Sequence, residues 1–177
     1  IYTLSLHDAL PIYELQEHIV ETIALHDIGK VAVPDSILKK PAGLDPKEWQ
    51  IMKTHPIQGA EILDSIMTKA STASRNTYNY LKTARNIILY HHERYDGSGY
   101  PYGLAADAIP ICARVAAICD VYDSLRSPRP YKKPFSHEKA VQIILQGKGT
   151  HFDPTLVEAF EELTHEFAAV WNQYGEN

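Results

Sequence analysis

The stretch His91-His92-Glu93-Arg94-Tyr95-Asp96-Gly97-Ser98-Gly99-Tyr100-Pro101 joins two adjacent imidazoles and two carboxylates to a turn built on Asp-Gly and Gly-Tyr-Pro. Imidazole and carboxylate together are the ligands of catalytic divalent metals, and the glycines and proline shape a fixed loop beside them. Upstream lies a second His/Asp pair with a lysine three positions on, His26-Asp27-Ile28-Gly29-Lys30. The two segments need a scaffold that brings them together.

Working outward from them, the apolar residues Leu15, Ile19, Ile23, Ala24 and Leu25 recur at mostly three- and four-residue steps. The spacing predicts an amphipathic helix from Tyr13 to Asp27 that delivers His26-Asp27 at its end and is broken by Gly29. Val33 to Ser36 opens a short helical turn and Lys40 to Gly43 a loop. Asp45-Pro46 starts a helix, and Pro56 interrupts before another from Ile57 to Met67. A Ser/Thr/Ala-rich loop spans Thr68 to Thr77. A helix from Tyr78 to Tyr90 then carries His91-His92. Further helices are expected at Ile111 to Leu125, ended by Ser127-Pro128, at Ser136 to Gln146 with Ser136 as cap, and at Pro154 to Trp171 after Asp153. No alternation typical of strands appears. The expected fold class is all-α, a helical bundle with metal ligands pointing inward from several helices.

The 177 residues, 45% hydrophobic and 22% charged, suit one globular core. No apolar run is long enough for a membrane span and no secretion signal is visible, so the cytoplasm is the expected compartment. Cys112 and Cys119 fall on one helix face roughly 10 Å apart along the axis, too far for a disulfide, and read as small packing residues. A formal charge of −5 argues against a nucleic-acid polymer as partner. A small anion would need a local cationic pocket, which Lys30 with Arg126, Arg129, Lys132 and Lys133 can supply.

Residues 1 to 12 look like the conceptual translation of a sequencing adapter, so His7-Asp8 carries no weight as a ligand pair and the gene reads as cut at about residue 13. The candidate ligands are then His26, Asp27, His55, His91, His92 and Asp120, with Glu93, Asp96 and Asp123 in reserve. A set without thiolate suits Fe, Mn, Ni, Co or Zn in a catalytic site. Adjacent helical residues diverge by about 100°, so His26 and Asp27 do not clamp one ion as an i,i+4 pair would, but they can reach neighbouring metals. A carboxylate bridging two metals is what a two-metal phosphodiester hydrolase needs. Taken singly each piece has a plain structural reading: His55 as a helix-start residue, His91-His92 as a helix terminus, Asp96-Gly97 as a tight turn, Asp120 and Asp123 as solvated polar groups, Arg129 and Lys132 as surface charges. Their joint occurrence favours the metal site. His18, His137, His151 and His165 show no partner pattern.

From about Ile19 to Phe160 the chain resembles the HD-GYP family of bacterial cyclic di-GMP phosphodiesterases, on the His-Asp-x-Gly-Lys step, the His-Pro at His55 and the His-His-Glu-x-x-Asp-Gly-x-Gly-Tyr-Pro signature. The resemblance implies an HD-type helical bundle over 13–167 with the metal site in its core, followed by a polar tail over 168–177. It implies two divalent metals, Fe or Mn, held by His26, Asp27, His55, His91, His92 and Asp120, with a third metal in the intact parent. Asp27 and Lys30 would be catalytic, and Gly99, Tyr100, Pro101, Arg129 and Lys132 would bind substrate. The implied reaction is hydrolysis of cyclic di-GMP to linear pGpG or GMP, in a signalling protein with receiver or GGDEF-type partners. A helix that supplies another His, and in some members a Glu, would precede residue 1. The rival readings are another HD-superfamily nucleotide phosphohydrolase, against which the Gly-Tyr-Pro loop counts, and an inactive module that binds cyclic di-GMP or a partner protein.

Overall fold

In the computed structural model, residues 6–69, 74–128 and 133–175 are described, with 6–12 as backbone alone. The helices are α1 (Leu6–Thr22), α2 (Asp35–Leu38), α3 (Pro46–Met52), α4 (His55–Lys69), α5 (Arg75–Tyr90), α6 (Ile111–Arg126), α7 (His137–Gln146), α8 (Pro154–Glu162) and α9 (Thr164–Tyr174). Short 3₁₀ turns occupy Ile23–Leu25, Ile28–Ala32 and Ala106–Ala108. Only isolated bridges, Asp96 with Ala105 and Lys148 with Phe152, interrupt this among the described residues, so the all-α expectation holds.

The helix starts follow from side chains that accept the free N–H groups of a first turn. Asp45 and Glu48 form a reciprocal capping box on α3, with Pro46 at the first position. Ser74, Ser136 and Asp153 cap α5, α7 and α8. The cap at Ser74 starts α5 four residues before Tyr78, inside the expected loop.

Three cores form along α5 and α6, one on α5, one on α6 and one between them. Ile87 packs with Cys112, Ala116 and the α1 side chains Leu15 and Ile19 together with Ile23. Ile88 turns to Leu63 of α4 and Ala84. Ala117, Ile118 and Tyr122 of α6 pack on Ala140, Ile144, Phe152, Val157 and Phe160. The alanines of α6 let its neighbours come close, and α5, whose Ile87 and Ile88 are fully buried, is the central strut. Both cysteines are free, and burial pushes each thiol up to about 11, consistent with packing roles.

Several expected boundaries move, each for a physical reason. Helix α1 reaches back to Leu6 and ends at Thr22, after which the chain tightens into 3₁₀ turns on either side of His26-Asp27. Gly29 does not break a helix; it allows a close crossing. A Cβ there would lie 1.9 Å from the His55 carbonyl oxygen and 2.5 Å from the Gly59 nitrogen. Pro56 sits in the first turn of α4, where its missing N–H is no loss, so it does not interrupt. The expected single helix from Pro154 to Trp171 is split at Leu163, whose φ of −102° and ψ of 11° let α9 restart at Thr164. Within the stretch expected as a polar tail from 168, α9 runs to Tyr174 and Trp171 packs on the α6 core.

Gly29→Ala is expected to destabilise the fold by at least about 1–3 kcal/mol, the cost of overpacking. That corresponds to roughly 2–4 °C of Tm per kcal/mol for a chain of this size. Gly43→Ala, where a Cβ meets nothing within 4 Å, is the matched control and should melt with the parent.

Candidate metal centre

The crossing at Gly29 and Gly59 sets Asp27 against the start of α4, where His55 is 1% exposed. The end of α5 supplies His91 as its cap, followed by His92. One ligand atom from each of Asp27, His55, His91 and His92 lies within 4.8 Å of the others.

Backbone carbonyls orient the imidazoles. His55 Nδ1 donates to the Met52 oxygen at 2.8 Å, and His26 Nδ1 to the Ile23 oxygen at 2.8 Å. His91 Nδ1 is shared between the oxygens of Ile87 and Ile88, each at 3.0 Å. A carbonyl can only accept, so each Nδ1 carries the proton and each neutral ring keeps its lone pair on Nε2. His55 Nε2, His91 Nε2 and Asp27 Oδ1 are all buried without a hydrogen-bond partner among the described residues. His55 Nε2 lies 3.2 Å from Asp27 Oδ1, and His91 Nε2 4.0 Å from the same oxygen. These are approaches of acceptor to acceptor, which cost free energy unless a cation lies between them. The donor set therefore fits a divalent metal, with the second-sphere hydrogen bonds that metal-binding imidazoles ordinarily have.

The other oxygen of Asp27 faces a different group. Oδ2 pairs with Lys30 Nζ and lies 3.4 Å from His26 Nε2, which is 3.5 Å from Asp120 Oδ1. One carboxylate thus divides its oxygens between a His55/His91 side and a His26/Asp120 side, as a bridging ligand would.

The electrostatics agree. Burial, reinforced by the neighbouring imidazoles, lowers His91 to about 4 and His92 to about 2, so both are neutral near pH 7. Burial also acts to lower His26, but hydrogen bonds to Asp120 and Asp27 overcome it and raise it to about 10. Burial opposes ionisation of Asp27, yet the protonated His26 and the Lys30 ammonium beside it hold it well below the usual carboxylate range. Without metal, a proton on His26 supplies positive charge that the two carboxylates attract.

The loop after His92 is fastened rather than ligating. Glu93 is 2% exposed, and its carboxylate accepts the backbone N–H of Tyr102 at 2.7 Å and of Leu104 at 3.0 Å. Asp96 accepts the Ser98 N–H and hydroxyl. A Cβ on Gly99 would lie 2.2 Å from the Arg94 nitrogen, so only glycine lets the chain double back there. Of the reserve carboxylates, Glu93 and Asp96 are therefore loop fasteners, whereas Asp123 lines a cavity of about 480 Å³ together with His26. Tyr100 stacks on His92 with ring centroids 4.7 Å apart, and its N–H donates to the His92 oxygen at 3.2 Å. Burial, with the carboxylates of Asp120 and Asp27, pushes its phenol above the ordinary range.

A cleft of about 510 Å³ opens over this cluster, lined by Asp27, Lys30, His55, His91, His92, Tyr100 and Asp120. The structure thus brings together the six expected ligands, Lys30 and Tyr100. Gly99 and Pro101 shape the loop, and Arg129 and Lys132 lie outside the described residues. His18 bonds Asn76, His137 bonds the Tyr122 hydroxyl and His165 pairs with Glu166, all away from the cleft. His151 differs: it lines the cleft, as does Trp49. No spacing in the sequence signals this for His151, because it is held there by tertiary backbone bonds. The Tyr95 N–H donates to the His151 oxygen at 3.1 Å and the Asp96 N–H to the Thr150 oxygen at 2.9 Å.

Glu93→Ala removes two charge-assisted bonds to the backbone and is expected to cost about 1.5–3 kcal/mol for each bond lost. Glu93→Gln, which keeps one acceptor oxygen, should cost less. Urea midpoints of the two variants check the order, and equal midpoints would sink the clamp.

Among the described residues no helix is long and apolar enough to cross a membrane. The family model described as HD domain matches residues 12–156. A cyclic di-GMP phosphodiesterase of Vibrio cholerae is 46% identical over 154 residues, covering 87% of this chain and 30% of that protein. The cyclic di-GMP phosphodiesterase response regulator RpfG of Xanthomonas campestris is 42% identical over 153 residues, 86% of this chain and 38% of its own length. A 3'3'-cGAMP-specific phosphodiesterase of Vibrio cholerae is 45% identical over 146 residues, 82% of this chain and 26% of that protein. The chain thus spans about a third of the length of the curated relatives it matches. With the His/Asp cluster, the fastened Gly-Tyr-Pro loop and these matches in agreement, the chain belongs to the HD domain family, within its HD-GYP group.

Proposed function

We propose that this chain is the catalytic domain of a metal-dependent phosphodiesterase that hydrolyses cyclic di-GMP to linear pGpG, or on to GMP. The observation that carries the reading is Asp27, whose two oxygens serve two separate clusters beside orphaned imidazole lone pairs. His26, Asp27, His55, His91, His92 and Asp120 would hold two divalent metals, Fe or Mn. Bound there, such metals would acidify a water and offset charge on the phosphoryl oxygens.

The chain's own residues do the rest. Lys30, paired with Asp27, has its ammonium at the cleft to meet charge that builds on phosphorus-bound oxygen. The Nδ1 hydrogen bonds of His26, His55 and His91 hold each Nε2 on target. Tyr100, stacked on His92, forms part of the substrate wall with Gly99 and Pro101, and Arg129 and Lys132 grip phosphate or a guanine edge. The domain occupies 13–167, works in the cytoplasm and answers to receiver or GGDEF-type partners, with residues 1–12 foreign to it. The likeness to a 3'3'-cGAMP-specific enzyme supports a second substrate reading, in which one guanine is replaced by adenine.

Turnover of both cyclic dinucleotides, followed by chromatography with Mn or anaerobic Fe(II) on this chain and on its parent, tests the reading. His91→Ala and Asp120→Ala are expected to lose metal and at least about 100-fold in turnover. Full metal content in both variants would sink the ligand set.

To serve as a ligand, His26 would have to give up the proton that Asp120 and Asp27 hold on it, since they raise it to about 10, above neutral pH. Loading at pH 7.5 is therefore expected to release about one proton from this residue, and binding should weaken as the pH falls. Calorimetry in buffers of different ionisation heat measures the release. A His26→Ala variant that releases the same number of protons would refute the assignment. At a hundredfold excess over Kd the metal should stabilise the fold by about 2.7 kcal/mol.

A further inference from the structure

The cleft over the His/Asp cluster has two kinds of wall. Asp27, His55, His91, His92 and Asp120 make one polar; Leu38, Leu44, Trp49 and Met52 make the other apolar. A nucleotide has the same division, a charged phosphate joined to a flat purine. The largest flat group on the apolar wall is Trp49, on α3, which stays 43% exposed. Its indole meets Tyr100 edge to face, with ring centroids 6.4 Å apart and an interplanar angle of 74°. Tyr100 is itself engaged, stacked on His92 at 4.7 Å with the Lys53 ammonium 5.3 Å from its ring centre. Trp49, whose ring centre the same ammonium approaches to 5.8 Å, is thus held beside Tyr100 while 43% of its surface stays exposed. Aromatic faces of this kind stack on bases, and the contact tolerates any base because every base has a π-face.

We infer that Trp49 is the nucleobase platform of this cleft: its indole stacks on one purine of a nucleotide whose phosphate lies at the His/Asp cluster. The inference rests on the phosphodiesterase reading and adds a binding residue to it. The ring orders the base, and through the fixed covalent geometry of the nucleotide it helps bring the phosphate to Lys30 and the cluster.

The chain has two tryptophans, and Trp171 packs against the α6 core outside the cleft. A Trp171→Phe variant therefore leaves Trp49 as the only indole reporter. Its emission should fall saturably as cyclic di-GMP is added, both with chelator, so that no turnover competes, and with Mn. In the hydrolysis assay Trp49→Ala is expected to raise KM roughly 5- to 150-fold, the range that base stacking supplies, with kcat held. Trp49→Phe should recover part of the loss and Trp49→Leu, which keeps bulk without a π-face, should not.

Turnover of cyclic di-GMP with Trp49 emission and the Trp49→Ala KM both unmoved would overturn the platform and leave the function standing. Full recovery by Trp49→Leu would also overturn it, as mere packing. Absence of cyclic di-GMP turnover together with saturable quenching by 3'3'-cGAMP or GMP would remove that substrate and keep the platform. Quenching by none of the three would overturn it.

Discussion

The organising constraint of this protein is the convergence of buried lone pairs. Asp27 Oδ1, His55 Nε2 and His91 Nε2 are turned toward one point with no donor among the described residues to receive them. Such a point is unfavourable in the bare protein, and packing elsewhere has to hold it together. That packing is specific: Ile87 and Ile88 lock α5, the Gly29–Gly59 crossing locks the His-Asp turn to α4, and four backbone carbonyls lock three of the rings.

The same constraint explains the division of labour between the two acidic residues that adjoin the histidines in the sequence. Asp27 is kept ionised against its burial by cationic or donating neighbours, as a metal ligand must be. Glu93, adjacent in sequence to His92, is turned away and spends both oxygens on backbone N–H groups. A loop that carries Tyr100 over an imidazole needs its own fastening, and a buried carboxylate with two amide donors supplies it without competing for the metal.

Much of this was legible in the sequence, because its signals are local. Helix periodicity and the caps at Asp45, Ser136 and Asp153 mark the bundle, and His26, Asp27, His55, His91, His92 and Asp120 are marked by residue type and motif. What was hidden depends on contacts across the fold. Gly29 reads as a helix breaker until the His55 carbonyl is seen beside it, and Glu93 reads as a spare ligand until the chain folds back at Gly99. His151 is unremarkable in the sequence because the bonds that carry it to the cleft belong to Tyr95 and Asp96 of another segment. Trp49 reads as an ordinary helical aromatic until the wall it shares with Met52 is formed.

The carbonyl that steers His26 belongs to Ile23, in the turn that continues α1, whereas the carbonyls that steer His55 and His91 belong to Met52, just before α4, and to α5. The two halves of the cluster are thus mounted on separate parts of the chain and meet at the Asp27 carboxylate and at the edge contact of the His26 and His91 rings, whose centroids lie 5.1 Å apart. Asp120, which faces His26, comes from α6, so the His26 half itself draws on two supports. The geometry of that half is therefore set by how α1 and α6 are seated against α5, through Leu15, Ile19, Cys112 and Ala116 around Ile87.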